Sequence, residues 1–240
     1  MSYGRRAVRL LYDEYRDCQK CPRLCESRTQ TVFGSGSVSA DIMIIGEFPG
    51  TDEDKTGVPF TGASGKLLLQ MLDMVWENEE EMAPAREMAD NDEYFQQVRD
   101  IVERKIFFTN VVLCHPGERS PAPAEIKSCK ERLQGTIYAV DPKIIIATGK
   151  TAASAVLGKN MAIMNRRGDI FDVRVTSPVT GRTVRYPMLA ILHPSFLLRR
   201  GDQSLVSKKS GDTYKTMGDL RYAFSLLREY DRIQGASNAY

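Results

Sequence analysis

Four short apolar runs, each followed by a segment with helical periodicity, set the pattern of the chain. The runs are centred in Ile42–Ile45, Lys105–Thr109, Lys143–Ala147 and Met188–Leu192. Near-continuous apolar runs of this length are typical of parallel strands that are buried on both faces. Helices are predicted over residues 4–17, 64–76, from about 124, 151–157 and about 214–230. The predicted fold class is α/β, a three-layer α/β/α sandwich around a central, mostly parallel four-stranded sheet.

The remaining segments are predicted as additions to one domain that spans the 240-residue chain. Residues 31–39 are rich in Gly and Ser, which indicates a loop or an edge strand. Residues 169–175 and 183–186 alternate in the manner of a β-hairpin. Residues 77–104 are polar and acidic, and we expect a helical, solvent-exposed insertion there. A disordered tail is expected at about 234–240.

Composition restricts the class of protein only slightly. With 33 Lys and Arg against 31 Asp and Glu the net charge is +2, so bulk charge argues neither for nor against nucleic acid. No apolar run approaches 18 residues, and the N-terminus lacks the apolar region of a signal peptide. We therefore expect a soluble, cytoplasmic protein without membrane contact.

The spacing of the five cysteines favours a metal site over a disulfide framework. Cys18 and Cys21 form a C-x2-C pair and Cys25 follows, whereas Cys114 and Cys129 come much later. In a chain without an export signal, such an arrangement is more typical of a metal or iron–sulfur site than of disulfides. A buried free thiol is the alternative for each cysteine taken singly.

Polar side chains follow three of the predicted strands, at the point where each strand ends. Glu47, Asn110 and His193 occupy these positions, and Phe60 lies in the loop after the first strand. Carboxyl ends of parallel strands meet at one edge of a sheet, so these side chains should surround one crevice. An amide can read the edge of a heterocycle, an aromatic ring can stack on its face, and an imidazole can stabilise an anionic oxygen.

Four separated motifs occur in an order that points to one family. They are Gly46-Glu47-Phe48-Pro49-Gly50 with Glu53-Asp54, Gly57 to Phe60 with Gly62 and Gly65, Thr109-Asn110-Val111-Val112 with Cys114, and His193-Pro194-Ser195 before Leu197-Leu198. This set resembles the uracil-DNA glycosylase superfamily, and most closely its family 4, the iron–sulfur type. The resemblance covers about residues 15–230, apart from 77–104. It implies a monofunctional DNA glycosylase that hydrolyses the N-glycosidic bond of uracil flipped out of single- or double-stranded DNA, in base-excision repair.

The resemblance also implies how the base is held. A flipped uracil would stack on Phe60, hydrogen-bond to Asn110, and contact the chain around Gly46 and Phe48. Phe48 departs from the family, which has Ala or Gly there, and its bulk could reshape the pocket.

Catalytic roles follow from the same resemblance. His193 would stabilise charge on the leaving base, with help from Asn110. Glu47 and Glu53 would line the pocket, and Glu53 would meet the methyl group of thymine. Which of the two carboxylates activates water stays open.

Contacts with DNA are expected from the segment after the last strand. Ser195, Leu197 and Leu198, followed by Arg199 and Arg200, resemble the loop that enters the duplex when the base is extruded. Further candidate basic contacts are Lys150, Arg166, Arg167, Lys208 and Lys209.

The cofactor that the resemblance implies is a 4Fe-4S cluster bound by Cys18, Cys21, Cys114 and Cys129. Cys25 is an extra thiol, so the assignment near the N-terminus stays open. The expected partner is uracil-containing DNA, the expected state is a monomer, and the insertion at 77–104 is a candidate surface for a protein partner.

Two other functions remain compatible with the sequence. The fold could serve as a non-catalytic DNA-binding or assembly module, or as a glycosylase for a modified pyrimidine. Phe48 and the insertion are the features that favour them, whereas Glu47, Asn110 and His193 favour an active enzyme.

Overall fold

Four parallel strands form the centre of a six-stranded sheet in the computed structural model, which describes residues 3–76, 79–86, 91–201 and 211–237. The strands are β1 (Ser35–Gly36), β2 (Ile42–Gly46), β3 (Ile106–Asn110), β4 (Ile144–Thr148), β5 (Ile170–Thr176) and β6 (Thr183–Ile191). Their spatial order is β1-β3-β2-β4-β6-β5. Strands β3, β2, β4 and β6 run parallel, while β1 and β5 are antiparallel edge strands. The predicted α/β class and its four parallel strands are confirmed, whereas the sheet has six strands instead of the four predicted.

Helices cover both faces of this sheet. They are α1 (Tyr3–Tyr15), α2 (Pro22–Ser27), α3 (Thr51–Thr56), α4 (Ala63–Val75), α5 (Glu79–Arg86), α6 (Asp92–Val102), α7 (Pro123–Val140), α8 (Gly149–Leu157), α9 (Ile163–Arg166), α10 (Pro194–Arg199) and α11 (Asp212–Ser237). No helix in the described ranges is both long and apolar enough to cross a bilayer.

Alternate residues of the central strands point into two separate cores. Ile42 and Ile44 of β2 pack with α4, α6 and α11 on one face. Met43 and Ile45 pack with α1, α7 and α8 on the other face. Because successive side chains of a strand point to opposite faces, one unbroken apolar run supplies both layers. The three-layer arrangement follows directly from the runs in the sequence.

One predicted boundary is wrong, since the second arm of the hairpin and the last apolar run form a single strand, β6. Its first half alternates between exposed and buried residues and pairs with β5 alone. Its second half is buried on both faces and begins parallel pairing with β4 at Met188. Pro187 lies just before that pairing starts, where a missing backbone N–H is tolerated.

The insertion at 77–104 is helical as predicted, but in its described residues only one face is solvent-exposed and the other is buried. Helices α5 and α6 place Met82, Ala85, Val98 and Ile101 in the same core as β2 and α4. These apolar residues recur at helical spacing between the acidic ones and form one buried stripe. Residues 77–78 and 87–90 lie outside the described ranges.

The chain end differs from the prediction as well. Helix α11 continues to Ser237, so the first residues of the expected disordered tail are helical. Residues 238–240 lie outside the described ranges.

Candidate active site

The polar residues predicted at three strand ends do converge. Glu47, Asn110 and His193 line one cavity of about 350 Å³ at the carboxyl edge of the parallel strands. The cavity is also lined by Phe48, Gly50, Thr51, Asp52, Glu53, Phe60, Gly62, Ala63, Ser64, Gly65 and Ser195. Every residue that the sequence analysis placed in the base pocket or assigned to catalysis, apart from Gly46, lines this cavity.

Gly46 lies directly behind the pocket wall. Its lack of a side chain explains how closely the Asn110 amide and the Phe60 ring approach each other. A Cβ on Gly46 would overlap the amide oxygen of Asn110 and would lie 2.9 Å from the ring of Phe60. The bare backbone therefore lets the amide and the ring reach the same point. Asn110 is buried, and the carbonyl oxygen of its own residue accepts a 2.6 Å hydrogen bond from Arg132.

Phe60 has a backbone conformation that is rare for a residue with a side chain, since its φ is 56°. Gly65 makes this turn possible, because a Cβ there would overlap the Phe60 carbonyl group. Left-handed backbone at a residue other than glycine costs on the order of 1–3 kcal/mol, and such residues are enriched at functional sites. The ring of Phe60 packs 5.6 Å from that of Phe108.

The Glu53 carboxylate is hydrogen-bonded to the backbone beside this turn. Its carboxylate oxygen Oε1 accepts hydrogen bonds from the amides of Thr61 and Gly62, each at 2.8 Å, and the residue is only 8% exposed. Glu53 therefore lines the pocket as predicted, but its hydrogen bonds fix the loop that follows Phe60.

Glu47 also lines the pocket and is partly buried. Burial raises the pKa of its carboxyl group, and a hydrogen bond with Thr151 acts in the other direction. Thr151 belongs to α8, which also begins beside the pocket, since a Cβ on Gly149 would lie 3.0 Å from the Cβ of His193. The contribution of α8 to the site was not predicted. Its only signal in the sequence is that α8 follows the end of a central strand.

His193 is held in one tautomer by the first turn of α10. Its Nδ1 accepts a hydrogen bond from the Ser195 amide at 3.1 Å and lies 2.8 Å from the Ser195 hydroxyl. An Nδ1 that accepts leaves the proton of the neutral ring on Nε2. Burial, with a smaller effect of the Arg199 charge, lowers the pKa of His193 to about 4. The ring is therefore neutral at physiological pH.

This shift in the pKa of His193 predicts how stability depends on pH. The unfolded chain takes up a proton near pH 6.5, whereas the folded protein stays neutral at that position until about pH 4. The free energy of unfolding should therefore fall by about 2 kcal/mol between about pH 7 and pH 5 through this residue. A His193→Gln variant should lack this component, as measured by chemical denaturation at both pH values. Identical pH dependence of the two proteins would contradict the shift.

The segment predicted to enter the duplex is only partly available. Leu197 is completely buried in the core, so its predicted DNA contact is wrong. The first turn of α10 begins at Pro194, and this places position 197 on the inner face of the helix. Leu198 is half-buried against the same core, while Arg199 and Arg200 are exposed.

Of the other basic residues predicted to contact DNA, some are engaged inside the protein and others are exposed. Arg167 forms a 2.5 Å ion pair with Asp219, which is buried, and it also binds the Lys215 carbonyl group, so its predicted DNA contact is wrong. Arg166 pairs with Asp169 on the surface, and Lys150 is exposed. Lys208 and Lys209 lie outside the described ranges.

The four cysteines that were grouped by resemblance do come together. Cys18, Cys21, Cys114 and Cys129 line one small cavity, whereas Cys25 does not line it and points to the Cys18 carbonyl oxygen at 3.6 Å. All five are free thiols. Burial raises the pKa of Cys114 to about 11, and a hydrogen bond from Arg28 at 2.8 Å acts against this shift.

Ligands of a single metal ion are not found in the described part of the chain, where no three His, Cys, Asp or Glu side chains are close enough to hold one. A four-iron cluster takes one thiolate at each iron, so its ligands stand farther apart than those around one ion. The arrangement of the four cysteines is consistent with such a cluster.

Fold and site together define a class of protein. It is an α/β protein whose sheet edge brings an aromatic ring, an amide and a neutral imidazole to one cavity. Comparison with known proteins agrees with this class. The profile of the Uracil DNA glycosylase superfamily matches residues 33–217.

Several relatives in the same class are similar over most of the chain. The type-4 uracil-DNA glycosylase of Thermotoga maritima is 32% identical over 82% of this chain and 86% of its own length. The type-4 uracil-DNA glycosylase of Archaeoglobus fulgidus is 29% identical over 86% of this chain and 89% of its own. A type-5 uracil-DNA glycosylase of Pyrobaculum aerophilum is 27% identical over a shorter part, 59% of this chain. This protein belongs to the uracil-DNA glycosylase superfamily, and the resemblance stated from its motifs is confirmed.

Proposed function

We propose that this protein is a monofunctional DNA glycosylase, which hydrolyses the N-glycosidic bond of uracil flipped out of single- or double-stranded DNA. The observation that carries the proposal is the meeting of Asn110, His193 and Phe60 in one cavity of about 350 Å³. That volume is at the lower end of ligand pockets, which fits one base better than a larger ligand.

The base is recognised by its edge and its face. The Asn110 amide offers one donor group and one acceptor, which complement an acceptor and a donor on the uracil edge. Phe60 supplies the stacking surface, and the tight approach at Gly46 brings ring and amide together. Phe48 forms part of the wall while it also packs against the core on the cysteine side.

His193 stabilises the leaving base. Its neutral ring presents Nε2–H, because Nδ1 is held by Ser195. This donor would hydrogen-bond to the oxygen on which negative charge develops. The first residues of α4 also line the cavity, and the positive end of the helix dipole favours the same charge. The protein thus assists departure of a uracil anion without giving up a proton.

Glu47 is the better candidate for orienting the attacking water. Glu53 already binds two backbone amides through Oε1, whereas Glu47 lines the pocket with a raised pKa. A carboxylate in this position can hold a water molecule and stabilise the oxocarbenium-like transition state.

Cys18, Cys21, Cys114 and Cys129 are the residues that would hold a 4Fe-4S cluster. When bound, the cluster supplies iron–thiolate bonds that cross-link the segment between α1 and α2 to the chain after β3 and to α7. Arg28, which donates to Cys114 and to the Cys18 carbonyl oxygen, favours the thiolate form that binds iron.

The proposal extends to the compartment, the DNA contacts and the oligomeric state. Free thiols fit a reducing cytoplasm. Arg199, Arg200, Lys150 and Ser195 are the described candidates for contact with the DNA backbone. A monomer is the expected state.

An excision assay tests the proposal. Purified protein with its iron retained is incubated with single-stranded and U:G duplex oligonucleotides, and abasic product is cleaved and counted. We expect uracil release from both, with little from the matched thymine oligonucleotides. Binding without release would favour the non-catalytic module, and release of a C5-modified pyrimidine in preference to uracil would favour the third function.

A further inference from the structure

The strained turn at Phe60 needs a restraint from outside its own loop. The φ of 56° at Phe60 is energetically unfavourable, and the aromatic side chain of Phe60 does not itself favour this backbone conformation. Glu53 fixes the two amides that follow, but the Phe60 carbonyl group points the other way, toward the insertion helices.

Arg99 of α6 provides this restraint. Its Nη2 donates a 2.5 Å hydrogen bond to the Phe60 carbonyl oxygen, and the residue is only 7% exposed. The contact joins residues 39 positions apart in sequence. A charged donor in a buried setting makes a stronger hydrogen bond than a neutral one.

The guanidinium group of Arg99 has a carboxylate partner and is held in one orientation. Nη1 donates to Glu103 at 2.9 Å, and the same carboxylate oxygen accepts from Ser35 of edge strand β1 at 2.7 Å. The guanidinium carbon lies 5.8 Å from the centre of the Phe108 ring, which in turn packs against Phe60. A buried Arg with these partners can hold one backbone geometry.

We propose that Arg99 is a positioning residue for base recognition, through which the insertion at 77–104 holds Phe60 in its stacking orientation. The inference rests on the proposed function, because it assumes that Phe60 stacks on the bound base. It gives the insertion a role inside the enzyme that its acidic composition does not suggest.

The test compares Arg99→Leu with Arg104→Leu. Arg104 lies on the same insertion but is exposed and pairs with Glu81 on the surface. Both variants lose one guanidinium from the same region, so a general effect of charge or of the insertion should appear in both. An Arg99→Lys variant keeps the charge but cannot reach both partners, and it serves if the Leu variant does not fold.

Two readouts separate positioning from loss of structure, both taken well below the unfolding transition. Arg99→Leu should lower the single-turnover rate of uracil release by about 10- to 100-fold, and Arg99→Lys by less. Free uracil, titrated by NMR, should bind about tenfold more weakly to the Arg99 variants. Arg104→Leu should stay within about twofold of the wild type in both measurements.

A double-mutant cycle with Phe60→Ala tests whether Arg99 acts through the Phe60 ring. If Arg99 acts through the ring, Arg99→Leu should cost far less in the Phe60→Ala background. Equal costs in both backgrounds, or an Arg99→Leu variant that matches Arg104→Leu, would overturn the inference. If wild-type protein released no uracil, the proposed function would fail, and unchanged binding of free uracil by Arg99→Leu would then reject the positioning role by itself.

Discussion

Replacing His193 by alanine should slow single-turnover release of uracil by a factor of about 10² to 10³. The imidazole of His193 is neutral, carries its proton on Nε2 and lines the pocket, and in the proposed mechanism it stabilises the charge on the departing base. That donor is already oriented before the reaction, so its full hydrogen bond is gained in the transition state. The affinity for uracil-containing DNA should fall much less than the rate of uracil release, because most of the binding energy comes from contacts with the phosphate backbone of the DNA.

Ser195→Ala is the matched variant for this prediction. It removes the hydroxyl that lies 2.8 Å from Nδ1 but keeps the backbone amide that fixes the tautomer. We expect a loss of less than about tenfold. A His193→Ala enzyme that works at the wild-type rate would remove the imidazole from the mechanism.

The meeting of Glu47, Asn110 and His193 in one pocket was predictable from sequence, because it depends on one topological rule. Apolar runs identify buried parallel strands, and the carboxyl ends of parallel strands share an edge. Glu47, Asn110 and His193 each follow such a run. No knowledge of side-chain packing was needed to bring them together.

Other features depend on packing, which no local pattern encodes. Arg99 lies in a polar, acidic segment, and its sequence neighbours give no sign that its guanidinium is buried against Phe60. Leu197 was predicted to face DNA because its segment resembles the loop that enters the duplex, but the start of α10 at Pro194 turns it into the core. The left-handed turn at Phe60 is equally hidden, since it depends on the close approach of Gly65 to the Phe60 carbonyl group.

The cysteine cavity and the base pocket are physically joined. Cys114 lies just beyond the end of β3, where Asn110 enters the pocket. Arg132, one turn after Cys129 on α7, donates to the carbonyl groups of Asn110 and Val111 at 2.6 and 2.8 Å. The ring of His115 donates to the Pro49 carbonyl oxygen, in the loop after Glu47, at 2.9 Å. Whatever holds the cysteines therefore also holds the wall of the pocket.

Removing one cluster thiol should cost more stability than any other single change predicted here. Cys129→Ser should lose the brown colour and absorbance near 400 nm, with iron falling from about four per chain to little or none. Since metal binding contributes directly to folding, we expect the midpoint of thermal unfolding to fall by about 10 °C or more. Uracil release should fall as well, because Arg132 and His115 link this region to the pocket.

Cys25→Ser is the control that the chain itself offers. It removes a thiol of the same segment that does not line the cavity. Iron content, colour and unfolding midpoint should stay close to wild type. If Cys25→Ser lost the iron while Cys18→Ser or Cys21→Ser kept it, the ligand set at the N-terminus would need to include Cys25. If neither Cys129→Ser nor Cys114→Ser changed the iron content of anaerobically purified protein, the cavity would not be the cluster site, and packing alone would hold β3 and α7 together.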